Sequence, residues 1–236
     1  MMTASPESSV IKMKRFLSLI LALTIVAVSL ASCKKVVKME YTEEGDLHAE
    51  NGIVYKYAPL GYEPTMQGEE YGLIEGVMEE KLYKIGDISP KEWLTTEYAG
   101  SATLVFYNAA LILPTLSEMK CDTVFICEQD VNTYSVATVG GEDSKDLDRD
   151  REVIEKLVEA VCDTEAENEI WPRGDAKETF RLKMYSADWP AIYYSLTYAV
   201  CSGGNYVYDR VTKRCVNVGE LLTPYLENEV LADVDA

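Results

Sequence analysis

The chain has 236 residues, 22 basic against 40 acidic side chains, and a net charge of −18. So acidic a surface repels phosphate backbones and anionic headgroups, which argues against nucleic acid as a partner and against adhesion to anionic lipid by charge. The single histidine, His48, sits in a polar, acid-rich stretch and leaves Ser–His and Cys–His catalysis without a base.

Residues 12–33 set the chain's destination. Lys12, Lys14 and Arg15 form a positive segment, and an uncharged apolar run follows from Phe16 to Leu30. The run is shorter than the roughly 18–20 apolar residues a membrane-spanning helix needs, and Ser18, Thr24 and Ser29 dilute it. It therefore reads as the apolar region of an export signal, with the basic residues held on the cytoplasmic side. Residues 1–11 are polar and unlike such a basic segment, so Met13 is the start that fits the signal.

The run closes on Leu30-Ala31-Ser32-Cys33. These four residues resemble the lipobox of bacterial prolipoproteins. The resemblance covers only this end of the chain. It implies that the Cys33 thiol receives a diacylglyceryl group and that cleavage before Cys33 makes it the new N-terminus. Two acyl chains are enough for a stable anchor. The expected location is the membrane surface facing away from the cytoplasm. Loss of residues 1–32 takes three bases and one acid with it, so the mature chain is more acidic still.

Residues 33–50 are rich in Glu and Lys and predict a flexible acidic tether. Residues 51–236 are then expected to form one globular domain. Residues 53–58 predict a first strand, ended by Pro59. Residues 61–76, rich in Gly and Glu, predict a loop with at most a short strand, and residues 81–85 a second strand. Ser89-Pro90-Lys91-Glu92 has the form of a capping box with Pro at the first helical position, which predicts a short helix to about Thr96. Residues 102–109 are apolar on both parities and predict a strand buried on both faces. Residues 122–127 and 131–139 predict neighbouring strands, with Gln129-Asp130 as a tight turn between them.

Residues 144–163 carry the clearest helix, with Val153, Ile154, Leu157, Val158 and Val161 in one stripe of a 3.6-residue period. Asp146, Asp148, Asp150 and Glu152 crowd its first turns, where the helix dipole favours carboxylates. Residues 180–185, 191–200, 206–209 and 215–218 predict four more strands. A short helix is expected around Pro224 with Thr223 as its cap. The fold class that follows is α+β: a mostly antiparallel sheet of six to eight strands, one main amphipathic helix and two short ones.

Besides Cys33 there are five cysteines. Cys121 and Cys127 lie on one predicted strand about 20 Å apart, and Cys201 and Cys215 fall on the first and third strands of a meander. Neither pair is in bridging reach, which predicts mostly free, buried thiols.

Few motifs carry chemistry. Asp146-Leu147-Asp148-Arg149-Asp150 starts like a calcium loop, but Arg151 and Leu157 stand where Gly and Glu are required. Ser117-Glu118-Met119-Lys120 has the Ser-x-x-Lys form without its companion elements. Arg173-Gly174-Asp175 matches an adhesion tripeptide. No metal site and no cofactor is expected. Trp171, Trp189, Tyr185 and Tyr193 are the candidate ligand-binding residues, because rings with a polar tip stack on sugars and partner side chains. The expected function is a membrane-anchored lipoprotein with a non-catalytic domain that binds a protein or an envelope glycan. The alternatives are a cell-envelope hydrolase using paired carboxylates and a structural or assembly lipoprotein.

Overall fold

A computed structural model describes residues 36–76, 79–97, 103–128, 134–165, 167–172 and 175–230. From Val37 onward the chain forms one compact unit. It is mostly β, its strands are almost all antiparallel, and two helices occur among the described residues. The strands divide between a closed barrel and a separate seven-stranded sheet, so the expected single sheet is corrected to two assemblies.

The barrel is built from β1 (Val37–Tyr41), β2 (Leu47–Ala49), β3 (Val54–Tyr57), β5 (Gln67–Ile74), β6 (Glu80–Ile85), β7 (Trp93–Thr96) and β8 (Val105–Asn108). Its ring order is β1-β2-β3-β8-β7-β6-β5. Seven strands cannot alternate in direction all the way round a ring, so one neighbouring pair must run parallel. That pair is β1 with β5, Val37 opposite Gly72 and Met39 opposite Ile74. Met39, Leu47, Tyr55, Leu82, Leu94 and Phe106 fill the interior.

Three expectations fail in this region. Most of the supposed tether is barrel wall: Met39, Leu47 and Ala49 are buried, because alternate residues of β1 and β2 are apolar and the intervening Lys38, Glu40 and His48 face water. His48 is accordingly an exposed residue of β2. The stretch expected as loop supplies the eight-residue β5 and the short β4 (Tyr62–Pro64). Ser89-Pro90 opens a single turn and no helix. Trp93 N–H donates to Ser89 O, and the β-branched and aromatic residues that follow extend into β7.

The second assembly has the order β10 (Ser135–Gly140), β9 (Thr123–Glu128), β11 (Ala176–Tyr185), β12 (Ile192–Cys201), β13 (Gly204–Asp209), β14 (Arg214–Asn217), with β4 paired to the start of β12. Helix α1 (Leu147–Cys162) contacts both β10 and β14, the two ends of this order. Six flat strands would span about 24 Å, while a helix is about 10–12 Å across. The sheet therefore curls around α1. Ile154, Leu157 and Val161 of the helix meet Val124, Leu182, Leu196 and Val207 of the sheet in one core. Helix α2 (Thr223–Val230) packs on β10.

β8 reconciles the two cores. Phe106 points into the barrel, whereas Val105 joins the core around α1. A strand apolar on both parities is here a wall shared between two apolar interiors. The predicted turn at Gln129-Asp130 lies outside the described residues. Among the described residues, no helix is long and apolar enough to cross a membrane.

Candidate functional site

The sheet has two faces, and register separates them. Phe180, Leu182 and Met184 of β11 pair with Tyr198, Leu196 and Tyr194 of β12 on the helix side. The other parity carries Arg181, Lys183 and Tyr185, flanked by Cys127, Phe125 and Thr123 of β9. On β12 the same face holds Tyr193, which lies opposite Glu63 of β4.

A ladder of rings crosses this face. Phe125 stands edge-on to Tyr185 at 5.2 Å, and Tyr185 stacks on Tyr193 at 5.1 Å. Offset and edge-to-face arrangements of this kind suit the ring quadrupoles. Lys183 Nζ lies over the Tyr193 ring at 5.3 Å. Tyr193 donates its hydroxyl to Glu63 Oε2 at 2.6 Å, and Arg181 donates to the same oxygen at 3.2 Å. Glu63, Arg181 and Tyr193 are all buried. A charge pair so deep holds its geometry only while both partners are present. The ladder is therefore pinned at its Tyr193 end.

At its Phe125 end the ladder opens into a groove of about 700 Å³. It is lined by Phe125, Tyr185 and Thr123, by residues of β10, by the loop from Gly140 to the start of α1, and by Tyr225. That volume lies within the range of small-molecule sites, about 300–1,000 Å³.

Asp150 is among the lining residues. It is buried although it belongs to the first turn of α1. Its carboxylate accepts from Gly140 N–H at 3.0 Å, Ser144 Oγ at 2.6 Å and Tyr225 Oη at 2.6 Å. Burial alone would push this carboxyl up. The hydrogen bonds from Ser144, Tyr225 and Gly140 outweigh it and hold the group below the ordinary carboxylate range. Tyr225 is pushed up in turn, first by burial and then by its bond to Asp150. Asp146 caps the helix by accepting from Arg149 N–H, and the Arg149 guanidinium lies over the Tyr225 ring at 5.6 Å.

The third buried carboxylate, Asp209, lies on the helix-facing parity. Tyr194 donates to both its oxygens at 2.9 Å, and Val211 N–H and Thr212 Oγ1 complete its shell. Glu63, Asp150 and Asp209 are each held by a tyrosine hydroxyl and at least one further internal donor.

The structure brings Tyr185 and Tyr193 together and places neither tryptophan with them. Trp189 stands edge-on to Trp93 at 6.3 Å, against the core shared with the barrel wall. Trp171 packs against Tyr208 at 5.8 Å. Ser117 and Lys120 have separate partners, Thr115 and Asp188. Arg173 and Gly174 lie outside the described residues, as does Cys33. No group of acids, cysteines and histidine among the described residues is arranged to hold a metal ion. Cys121, Cys127, Cys162, Cys201 and Cys215 are free thiols.

Phe125, Glu63, Arg181 and Tyr225 were not singled out by sequence, and Asp150 was read only as a carboxylate of the helix start and of an incomplete calcium-loop pattern. Two of them left a signal. Asp150 is in register with Ile154, Leu157 and Val161, so an acid lies in the apolar stripe. Phe125 is the one aromatic of its strand, between Thr123 and Cys127 on the parity opposite Val124 and Ile126. Comparison with protein-family models, curated proteins and solved structures found no match to this chain.

Proposed function

We propose that this protein is a membrane-anchored lipoprotein, facing away from the cytoplasm, whose globular part binds a ligand and catalyses nothing. The observation that carries the anchor is Leu30-Ala31-Ser32-Cys33 at the end of an uncharged apolar run. The non-catalytic reading is supported by the buried carboxylates. A hydrolytic pair needs one carboxyl able to give a proton and another able to take one or attack. Glu63, Asp150 and Asp209 instead spend their lone pairs on tyrosine, guanidinium, hydroxyl and backbone donors. The partner reaches the protein through its aromatic sheet face, and no nucleic acid or cofactor takes part.

The anchor is tested by expressing the full chain in bacteria fed an alkyne-bearing palmitate. The wild type should take up the label, and Cys33→Ala should lose it and keep its leader. A labelled Cys33→Ala protein would remove the anchor from this reading.

A further inference from the structure

The groove beside β10 has a construction that specifies its occupant. We propose that it is a saccharide site, taking a neutral oligosaccharide of equatorially substituted pyranoses against Phe125 and Tyr185; this deepens the binding reading above and rests on it.

The first argument is the wall. A pyranose with equatorial hydroxyls presents a flat face of C–H bonds, which packs on an aromatic ring while its hydroxyls remain free to bond sideways. Phe125 and Tyr185 offer such rings, and Tyr193, Glu63 and Arg181 hold Tyr185 from behind. Thr123, Ser135 and Thr138 also line the same space.

The second argument is charge. Four acids line the groove, Glu142, Asp143, Asp146 and Asp150, against two bases, Lys145 and Arg149. That negative excess disfavours an acidic ligand, and a neutral polyol enters without meeting repulsion.

The third argument excludes an extended peptide. β10 ends the sheet order, and a bare edge would accept another strand. This edge is blunted at both ends. A register shift between Ser135 and Ala137 bulges one end, and Asp150 takes the Gly140 N–H at the other. Bulges and plugged donors protect edges from added strands. What remains open is the side-chain face of the groove.

The test is isothermal titration of the mature lipoprotein in detergent with cellotetraose and chitotetraose, with a five-residue Val/Thr peptide as the competing class. Phe125→Ala removes the platform, and Thr138→Lys fills the groove from an exposed position. Thermal midpoints of both variants establish that they fold. Binding of either tetrasaccharide, weakened about tenfold in Phe125→Ala and lost in Thr138→Lys, supports the site. No binding of either sugar to the wild type overturns it. So does sugar binding that both variants retain, and so does binding of the peptide alone. Mass spectrometry of the recovered sugar separates the two proposals. Cleavage that Phe125→Ala abolishes leaves the site standing and overturns the non-catalytic reading.

Discussion

At the scale of single residues the chain uses tyrosine as the hydrogen-bond donor for its buried acids. It has 16 tyrosines and 4 phenylalanines. Three of the tyrosine hydroxyls hold Glu63, Asp209 and Asp150, and two others, on Tyr55 and Tyr62, donate to the carbonyls of Pro90 and Pro114. A neutral donor with a large apolar ring satisfies a carboxylate without adding a second charge to desolvate. Asp150→Asn places an amide among three donors, leaves one unpaired, and should cost about 1–3 kcal/mol at neutral pH. The pH dependence has a definite sign. Asp150's carboxyl is held low in the fold, so its contribution is present above the unfolded value near 3.9 and is lost as pH falls through the folded value. Denaturation of wild type and Asp150→Asn between pH 7 and pH 2 should show the gap closing in acid; a gap independent of pH would refute the role. Glu63→Gln leaves Arg181 buried without its counter-charge and should cost about 3–5 kcal/mol by urea unfolding. Two of the thiols are held unreactive by burial. Burial pushes Cys121 up to about 12 and Cys215 to about 11, so iodoacetamide at pH 7.5 should modify them only after unfolding.

At the scale of elements, periodicity was legible where one face of an element meets one core. The stripe on α1 places Ile154, Leu157 and Val161 against the sheet, and Leu157→Ala should cost about 2–5 kcal/mol in thermal or urea unfolding. Alternation likewise located β11 to β14. It was illegible where a local signal competed with a tertiary one. Ser89-Pro90-Lys91-Glu92 carries a helix start, yet Trp93–Thr96 completes the barrel between β6 and β8, and all four of its residues are buried there. A peptide of these residues would show what the local signal favours; only the ring of neighbours makes a strand of them. Gly140 is the element-scale control on the groove. It sits at φ +78°, where a Cβ is strained and would also drive into the Asp122 carbonyl oxygen. Gly140→Ala should lower the thermal midpoint and disturb the Asp150 corner together.

At the scale of the whole molecule, closure is the decisive event. The ring is completed by β1 against β5, strands more than 25 residues apart that the chain must bring together in parallel. Ala49 and Leu47 of β2 and Met39 of β1 belong to the barrel's own core. A chain beginning at Asn51, the domain boundary that composition suggests, therefore lacks two of the seven strands. It should lose hydrogen-exchange protection at β3 and β5 first, while β11 and β12 stay protected; an unchanged exchange pattern would show that the barrel does not depend on β1.

The acidic character, the main helix and the alternating strands of the curled sheet could be read from the sequence, and the proposed anchor rests on the basic segment, the apolar run and Leu30-Ala31-Ser32-Cys33. Each is written in residues close together in the chain, as a local pattern of charge or period. The sequence also brought forward Tyr185 and Tyr193, because aromatic rings beside polar residues on one parity are visible in a string. Only the tertiary structure decided that residues 37–49 are barrel wall, that β8 serves two cores, and that Phe125, Asp150 and Tyr225 meet around one groove. Those facts depend on register between distant strands, and shifting a strand by one residue sends every side chain to the opposite face. No local pattern records which of two apolar interiors a side chain enters, because both remove it from water equally well.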